Sequence, residues 1–105
     1  MSYKILLSYY TGNSGKKFTV IVFKNDKKIR TVHFGQDGAS DYTIHKDHER
    51  MKRYLSRHKD RGENWGKSGI ATAGFWSRWL LWSKPSLKAA ITLIKNKFNV
   101  NITMT

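Results

Sequence analysis

The segment from residue 73 to residue 85 reads AGFWSRWLLWSKP and holds three of the four tryptophans of the chain, Trp76, Trp79 and Trp82. Aromatic side chains contribute the largest apolar areas to protein cores and also to protein interfaces. A block this dense therefore either builds the core of a small domain or docks the protein onto a partner. Both interpretations remain open from the sequence.

The spacing within this block predicts a helix over residues 74–82. Phe75, Trp79 and Trp82 stand four and three residues apart, so a helix brings them to one face. We expect this face to pack into the core. The motif Ser83-Lys84-Pro85-Ser86 then ends the helix, because proline disfavours helical backbone at the residue before it.

Three residues of this region are candidates for protein docking. Trp76 and Arg78 cannot both lie on the packing face, and Trp65 is the only large anchor of the preceding loop. Tryptophan and arginine are the residue types that dominate binding hot spots. We therefore expect Trp65, Trp76 and Arg78 to form the docking surface, with the core as the alternative for the whole block.

The N-terminal third has the pattern of strands. Residues 3–10 and 18–24 are rich in Ile, Val, Phe and Tyr, and residues 11–17 between them have turn chemistry. Asn25-Asp26 leads into a third alternating segment over residues 28–34. A three-stranded antiparallel meander is expected, and it needs a covering layer.

The remainder has helical periodicity, with helices expected from residue 43 or 44 to about 57, over 74–82 and over 87–98. Residues 60–71 contain three glycines and are expected to form a loop. The tail alternates apolar and polar residues, which fits an edge strand or a frayed terminus equally well. The predicted fold is α+β, a single small basic domain over residues 1–105, with a meander (1–35) covered by about three helices (43–98) and a tail (99–105).

Charge gives the clearest indication of partners. Twenty Lys and Arg stand against seven Asp and Glu, a net charge of +13, and Glu63 is the last acidic residue. Such a chain favours an anionic partner: nucleic acid, an acidic protein or anionic lipid. We expect no membrane span, because the longest strongly apolar run, Trp79 to Trp82, is far too short. The lack of cysteine excludes disulfides and fits a reducing compartment.

A cationic stripe is expected on the first helix. Lys46, Arg50, Arg53 and Arg57 repeat at helical spacing, so they lie on one side of a regular helix, and Glu49, four residues before Arg53, is the only acidic residue four positions from any of them. Such a row can follow a phosphate backbone or an acidic groove, or it can be an ordinary solvated face. The candidate binding residues for nucleic acid or an acidic partner are Lys46, Arg50, Arg53, Arg57, Arg61 and Lys67.

Catalytic and metal-binding motifs are not recognisable. A metal site could be drawn from three histidines, His45, His48 and His58, with Asp47 and other nearby carboxylates. The three histidines do not share a helix face, so the sequence does not favour such a site. The Gly-Lys pair in residues 11–17 precedes a strand, which favours a hairpin turn over a phosphate loop. We expect no enzyme activity, no cofactor, no metal and no small-molecule substrate.

Four runs in the second half of the sequence carry a family resemblance: SDYTIHKD (40–47), ENW (63–65), TAGFWSRWLLW (72–82) and KPSL (84–87). Together they resemble a family of short basic proteins encoded by nucleocytoplasmic large DNA viruses of algae and protists. The resemblance covers roughly residues 40–98. That family carries no assigned activity, so the resemblance implies a large double-stranded DNA virus and no catalytic residues.

The expected function is therefore a small basic structural protein of a virion, of the minor capsid or cement type. It would dock on capsid proteins through aromatic residues and meet the genome or an acidic protein through its basic face. The alternative is a DNA-binding or DNA-condensing protein without sequence preference, with double-stranded DNA as the partner. The expected location is the virion, and the host cell interior during assembly.

Overall fold

Three antiparallel strands form the N-terminal part of the chain, as the alternating segments predicted. In the computed structural model, which describes residues 3–105, these strands are β1 (Tyr3–Tyr9), β2 (Lys16–Lys24) and β3 (Lys27–Gln36). Asn25 and Asp26 both have positive φ, 51° and 65°, in the two-residue turn between β2 and β3. This backbone suits the twist of a tight hairpin.

The predicted meander of three antiparallel strands is present, but a fourth strand makes the complete sheet four-stranded and mixed. Strand β4 (Asn101–Met104) pairs in parallel with β1, with Ile102 opposite Ile5. The strand order is β3-β2-β1-β4. Of the two alternatives for the tail, the structure has the strand. Its partner lies about a hundred residues away, so local sequence could show its alternation but not its position or direction.

Four helices and two short turns connect β3 to β4. The helices are α1 (Tyr42–His45), α2 (His48–Lys59), α3 (Ala73–Trp76) and α4 (Leu87–Phe98), with a 3₁₀ turn at Lys67–Gly69 and a π-helical turn at Ser77–Leu81 that continues α3. The single helix predicted from residue 43 to 57 is interrupted, because Lys46 adopts a left-handed conformation with φ of 56°. Asp41 caps α1 and Asp47 caps α2 through backbone N–H groups.

The core lies between one face of the sheet and the C-terminal helical segments. Alternate strand residues point into it, since successive side chains of a strand face opposite sides. The sheet contributes Ile5, Leu7, Phe18, Val20, Val22, Val32, Phe34 and Ile102. The helical segments contribute Phe75, Trp76, Leu80, Leu81, Ala90, Ile94 and Phe98. All helical core residues come after residue 72, so α3, the π-helical turn and α4 form the covering layer.

Helix α2 lies outside this layer and is attached to it by aromatic stacking. Tyr54 is the only buried residue of α2, and its ring lies parallel to that of Trp82, with centroids 4.2 Å apart and an interplanar angle of 3°. The other face of α2 is left exposed. No helix within residues 3–105 is both long enough and apolar enough to cross a bilayer.

Candidate nucleic-acid interface

Helix α2 presents three arginines to solvent on one stripe. Arg50, Arg53 and Arg57 are all exposed, and their spacing of three and four residues places them on successive turns about 5–6 Å apart. The orientation is set by Tyr54, which is held against Trp82 on the buried side. The carboxylates of Asp47 and Glu49 at the start of α2 interact favourably with the helix dipole. We call Arg50, Arg53 and Arg57 the arginine stripe.

Lys46 does not belong to this stripe. Lys46 ends α1 in a left-handed backbone conformation, and its Nζ donates hydrogen bonds to the backbone carbonyls of Thr43 and Pro85. Lys46 thereby links α1 to the segment before α4 instead of facing a partner. The sequence carried a signal for this break, because aspartate is a preferred residue at the N-cap of a helix. The Asp47 side chain accepts hydrogen bonds from the backbone N–H groups of Glu49 and Arg50 in the first turn of α2.

The two loop cations predicted for the same surface lie at different places. Arg61 is exposed in the turn that closes α2, where its N–H donates to the carbonyl of His58. Lys67 lies in the 3₁₀ turn, with its Nζ 5.7 Å from the centre of the Tyr3 ring at the start of β1. Arg61 therefore continues the basic end of α2, whereas Lys67 is positioned beside β1.

The positive charge of this protein is left almost entirely unpaired. Residues 3–105 include all twenty Lys and Arg. Within these residues, Lys17 is the only Lys or Arg that forms an ion pair with a carboxylate, and its partner is Asp41. The second ion-pair geometry joins His58 to Glu63. Carboxylates instead cap helices or bind tryptophan, as Asp47 and Glu63 do. Apart from Lys17, Lys46 and Arg78, which are held by contacts within the protein, the cationic side chains are thus available to an anionic partner.

Trp76, predicted to face outward for docking, is instead fully buried. Its exposure is 0%, and its indole N–H donates to the carbonyl of Ile70 at 2.7 Å. The physical reason is the π-helical turn that follows it, whose wider turn brings Leu80 and Leu81 into the core with Trp76. Trp79, predicted for the core, is only partly buried. Trp76 cannot contact a partner while the domain is folded.

Arg78 and Trp65 are brought together in a stacked cluster around Trp79. The guanidinium carbon of Arg78 lies 4.1 Å from the centre of the Trp79 ring and 5.4 Å from that of Trp65. Lys97 approaches Trp79 at 5.3 Å. The indole N–H of Trp79 donates to the carbonyl of Trp65 at 2.8 Å. Burial lowers the pKa of Arg78, but a guanidinium remains charged in proteins. The cluster fastens the loop after α2 to the π-helical turn.

A buried ion pair that the sequence analysis missed holds α1 against the sheet. Lys17 Nζ lies 2.5 Å from Asp41, whose residue is only 2% exposed and which also accepts the backbone N–H of Thr43. Lys17 lies on β2 and Asp41 precedes α1, so the pair connects residues far apart in the chain. No local pattern in the sequence links these two residues.

The histidines have separate structural contacts. His45 accepts the N–H of Asp47 at Nδ1, and burial lowers the pKa of its imidazole. His58 stacks on Tyr54 and pairs with Glu63 at 2.8 Å. Among the described residues, no three His, Asp or Glu side chains are grouped as metal ligands would be. The expectation that the protein binds no metal stays a prediction.

Comparison with known proteins gives one partial match. Residues 9–58, just under half of the chain, are similar to a family of unknown function, DUF5754. No curated protein and no solved structure matches the chain. The matched segment includes the arginine stripe and excludes Trp65, Trp76 and Arg78. It overlaps the region of viral resemblance only over residues 40–58, so that resemblance stays a prediction.

Proposed function

We propose that this protein binds double-stranded DNA without sequence preference, through the arginine stripe of α2 and the neighbouring Arg61. The observation that carries the proposal is the combination of a net charge of +13 with a helix whose three outward arginines form no ion pair with a carboxylate of residues 3–105. Unpaired cations on a rigid element are what phosphate binding requires, since affinity arises from the release of counterions.

The dimensions of the stripe fit a phosphate backbone. Arg50 and Arg57 are seven residues apart, which corresponds to about 10.5 Å along a helix at 1.5 Å per residue. This length equals about three base-pair steps of 3.4 Å along one strand. Guanidinium groups also bind phosphate oxygens through two parallel hydrogen bonds.

The residue types on α2 suit contacts with phosphates, and they offer no side chain that reads adenine. The helix reads HERMKRYLSRHK and contains neither Asn nor Gln, the side chains that pair with adenine in the major groove. Its cations are Arg and Lys, which bind phosphates whatever the base sequence. In the viral setting that the resemblance implies, such a protein would coat or condense the genome.

Salt-dependent binding tests this proposal. Each phosphate contact contributes about 0.9 to the slope of log affinity against log salt, so the three arginines account for about 2.7. We expect Arg50→Gln/Arg53→Gln/Arg57→Gln to lower the slope for a labelled 20-base-pair duplex by about that amount, equally for two unrelated sequences.

The matched control removes the same charge elsewhere. Lys84, Lys88 and Lys95 are exposed residues before and within α4. Changing these three to Gln should alter the slope far less than the arginine substitutions do, because long-range charge alone is screened by salt. Equal effects of the two triple variants would reduce the proposal to general electrostatics and remove α2 as the binding element.

A role as a virion structural protein, of the minor capsid or cement type, is the second candidate function, and a different surface favours it. A cavity of about 800 Å³ opens between the β1–β2 loop and α1. Tyr9 and Ile44 line it and are 62% and 60% exposed, the highest values among the exposed large hydrophobic residues. Exposed apolar side chains beside a cavity suit the anchor of a protein partner.

Particle fractionation separates the two functions. A capsid component held by apolar contacts should stay with shells emptied by nuclease and washed near molar salt, where the Debye length falls to about 3 Å. Tyr9→Ser/Ile44→Ser should release it, whereas the arginine variant should not. Complete loss of the wild-type protein with the DNA would exclude the capsid role.

A further inference from the structure

The sheet has one face that no helix of the described chain covers. All helical core residues pack on the other face, and the outward strand residues include no buried one. Strand register orders this open face into rows across β4, β1, β2 and β3. The rows are Asn101-Lys4-Phe23-Lys28, then Thr103-Leu6-Ile21-Thr31, then Ser8-Thr19-His33.

An aromatic ring stands between two cations in the first row. Phe23 on β2 is opposite Lys4 on β1 and Lys28 on β3, and directly opposed residues have Cβ atoms about 4.5–5.5 Å apart. Both lysines are exposed, and Phe23 is partly exposed. Ile29 forms the irregularity in β3 that brings Lys28 opposite Phe23, since Val22 pairs with Arg30.

A second aromatic group stands at the far end of the same face. The rings of Tyr10 and His33 meet edge to face with centroids 5.0 Å apart, and His33 Nδ1 is 2.9 Å from the hydroxyl of Thr19. Phe23 and Thr19 are four residues apart on β2, about 14 Å at 3.4 Å per residue. The two aromatic groups are therefore separated along one strand.

The charge of this face has one sign. Its three rows contain Lys4 and Lys28 and no Asp or Glu, and the four strands as a whole contain seven Lys and Arg, one of them Lys17 paired with Asp41, and no acidic residue. Asp26 lies outside the strands, in the turn between β2 and β3. Pairing two copies face to face would bring the cationic rims of two +13 chains together, which opposes self-association. The chemistry favours an anionic partner with flat apolar groups.

We propose that this open face binds single-stranded nucleic acid, with bases stacked on Phe23 and Tyr10 and phosphates beside Lys4 and Lys28. Unpaired bases can reach a ring on a sheet surface, whereas the bases of a duplex are stacked on one another. Every base has a π-face, so this mode is tolerant of sequence. None of these four residues belongs to the arginine stripe, and the inference does not depend on duplex binding through α2.

Binding of labelled (dT)15 and (rU)15 tests this inference. Stacking of one base corresponds to about a five- to 150-fold change in affinity. We expect Phe23→Leu, which keeps an apolar side chain but removes the ring, to weaken binding within that range. Phe23→Tyr should bind like the wild type. Tyr9→Leu, a change of an exposed aromatic residue outside this face, should also leave binding intact. Comparison of the two oligonucleotides shows whether the face distinguishes DNA from RNA.

Two further measurements test the same surface by other means. In the background of the arginine-stripe variant, Phe23→Leu should cause the same fold loss, because separate surfaces act additively. Ultraviolet crosslinking of the wild type to (dT)15, followed by peptide mapping, should locate the crosslink on the outward strand residues and does not rely on a variant folding. Crosslinks confined to α2, unchanged affinity of folded Phe23→Leu, or a dimer that Phe23→Leu dissociates would each overturn it.

Discussion

Replacing Trp76 with phenylalanine measures what the buried indole contributes to stability. The side chain is 0% exposed, and its N–H donates to the carbonyl of Ile70, a residue only 2% exposed. Its ring also packs against Phe75, with centroids 5.2 Å apart, and Phe34 at 6.3 Å. Phenylalanine keeps an aromatic ring in this space but lacks the N–H donor and is smaller.

The expected loss of stability follows from these contacts. An unsatisfied buried carbonyl costs about 1–3 kcal/mol. The space left by the smaller ring adds about 1 kcal/mol. The sum of about 2–4 kcal/mol is a large part of the 5–15 kcal/mol that stabilises a typical domain. It should lower the melting temperature by at least about 8 °C, since each kcal/mol shifts a domain of this size by about 4–8 °C.

Trp79→Phe is the matched control. Its N–H also donates to a backbone carbonyl, that of Trp65 at 2.8 Å, but Trp79 is only partly buried. Water can replace the lost donor there, so we expect a cost near 1 kcal/mol, the net value of an ordinary hydrogen bond. Urea unfolding followed by circular dichroism at 222 nm reports both variants without relying on tryptophan fluorescence. A larger loss for Trp79→Phe than for Trp76→Phe would refute the burial argument.

Two further outcomes follow from named contacts. Asp41→Ala should lower the free energy of unfolding in urea by about 3–5 kcal/mol, because Lys17, whose side chain is only 12% exposed, loses its partner. The double variant Asp41→Ala/Lys17→Met should recover part of this stability. No recovery would show that an unpaired buried charge is not the cause of the loss. Burial, assisted by Arg50, holds the pKa of His45 below its ordinary value, so the unfolded chain binds the proton first and stability falls as the pH drops from about 6.5 towards the folded pKa. His45→Asn should flatten the dependence of melting temperature on pH in this window, and an unchanged dependence would assign it to another group.

The parts of the fold that sequence predicted correctly are those decided by local pattern. Strands β1, β2 and β3 follow from alternation, because one face of a sheet is buried and successive side chains point to opposite faces. Helix α4 follows from its apolar periodicity after Ser86, whose hydroxyl caps the helix by accepting the N–H of Ala89. The tail alternation likewise matches β4.

The candidate interface was predictable only where it lies within one regular element. Arg50, Arg53 and Arg57 share a stripe because α2 is continuous between them. Lys46 was assigned to the same stripe by assuming an unbroken helix, and its positive φ removes it. The second helix cap, Asp47, was the available signal. The rows of the open sheet face require the register of four strands, which no local periodicity specifies.

The sequence by itself determined the unbalanced positive charge, the alternation of the strands and the apolar side of α4, because these depend on residue identity and on spacing within a few turns. Only the tertiary structure decided that β4 joins β1 in parallel, that a π-helical turn buries Trp76 in place of Trp79, and that Lys17 meets Asp41. The physical reason is that periodicity predicts which side of a helix or strand is buried, whereas long-range packing determines which other element covers that side. The same packing leaves one face of the sheet, and one face of α2, without a covering partner.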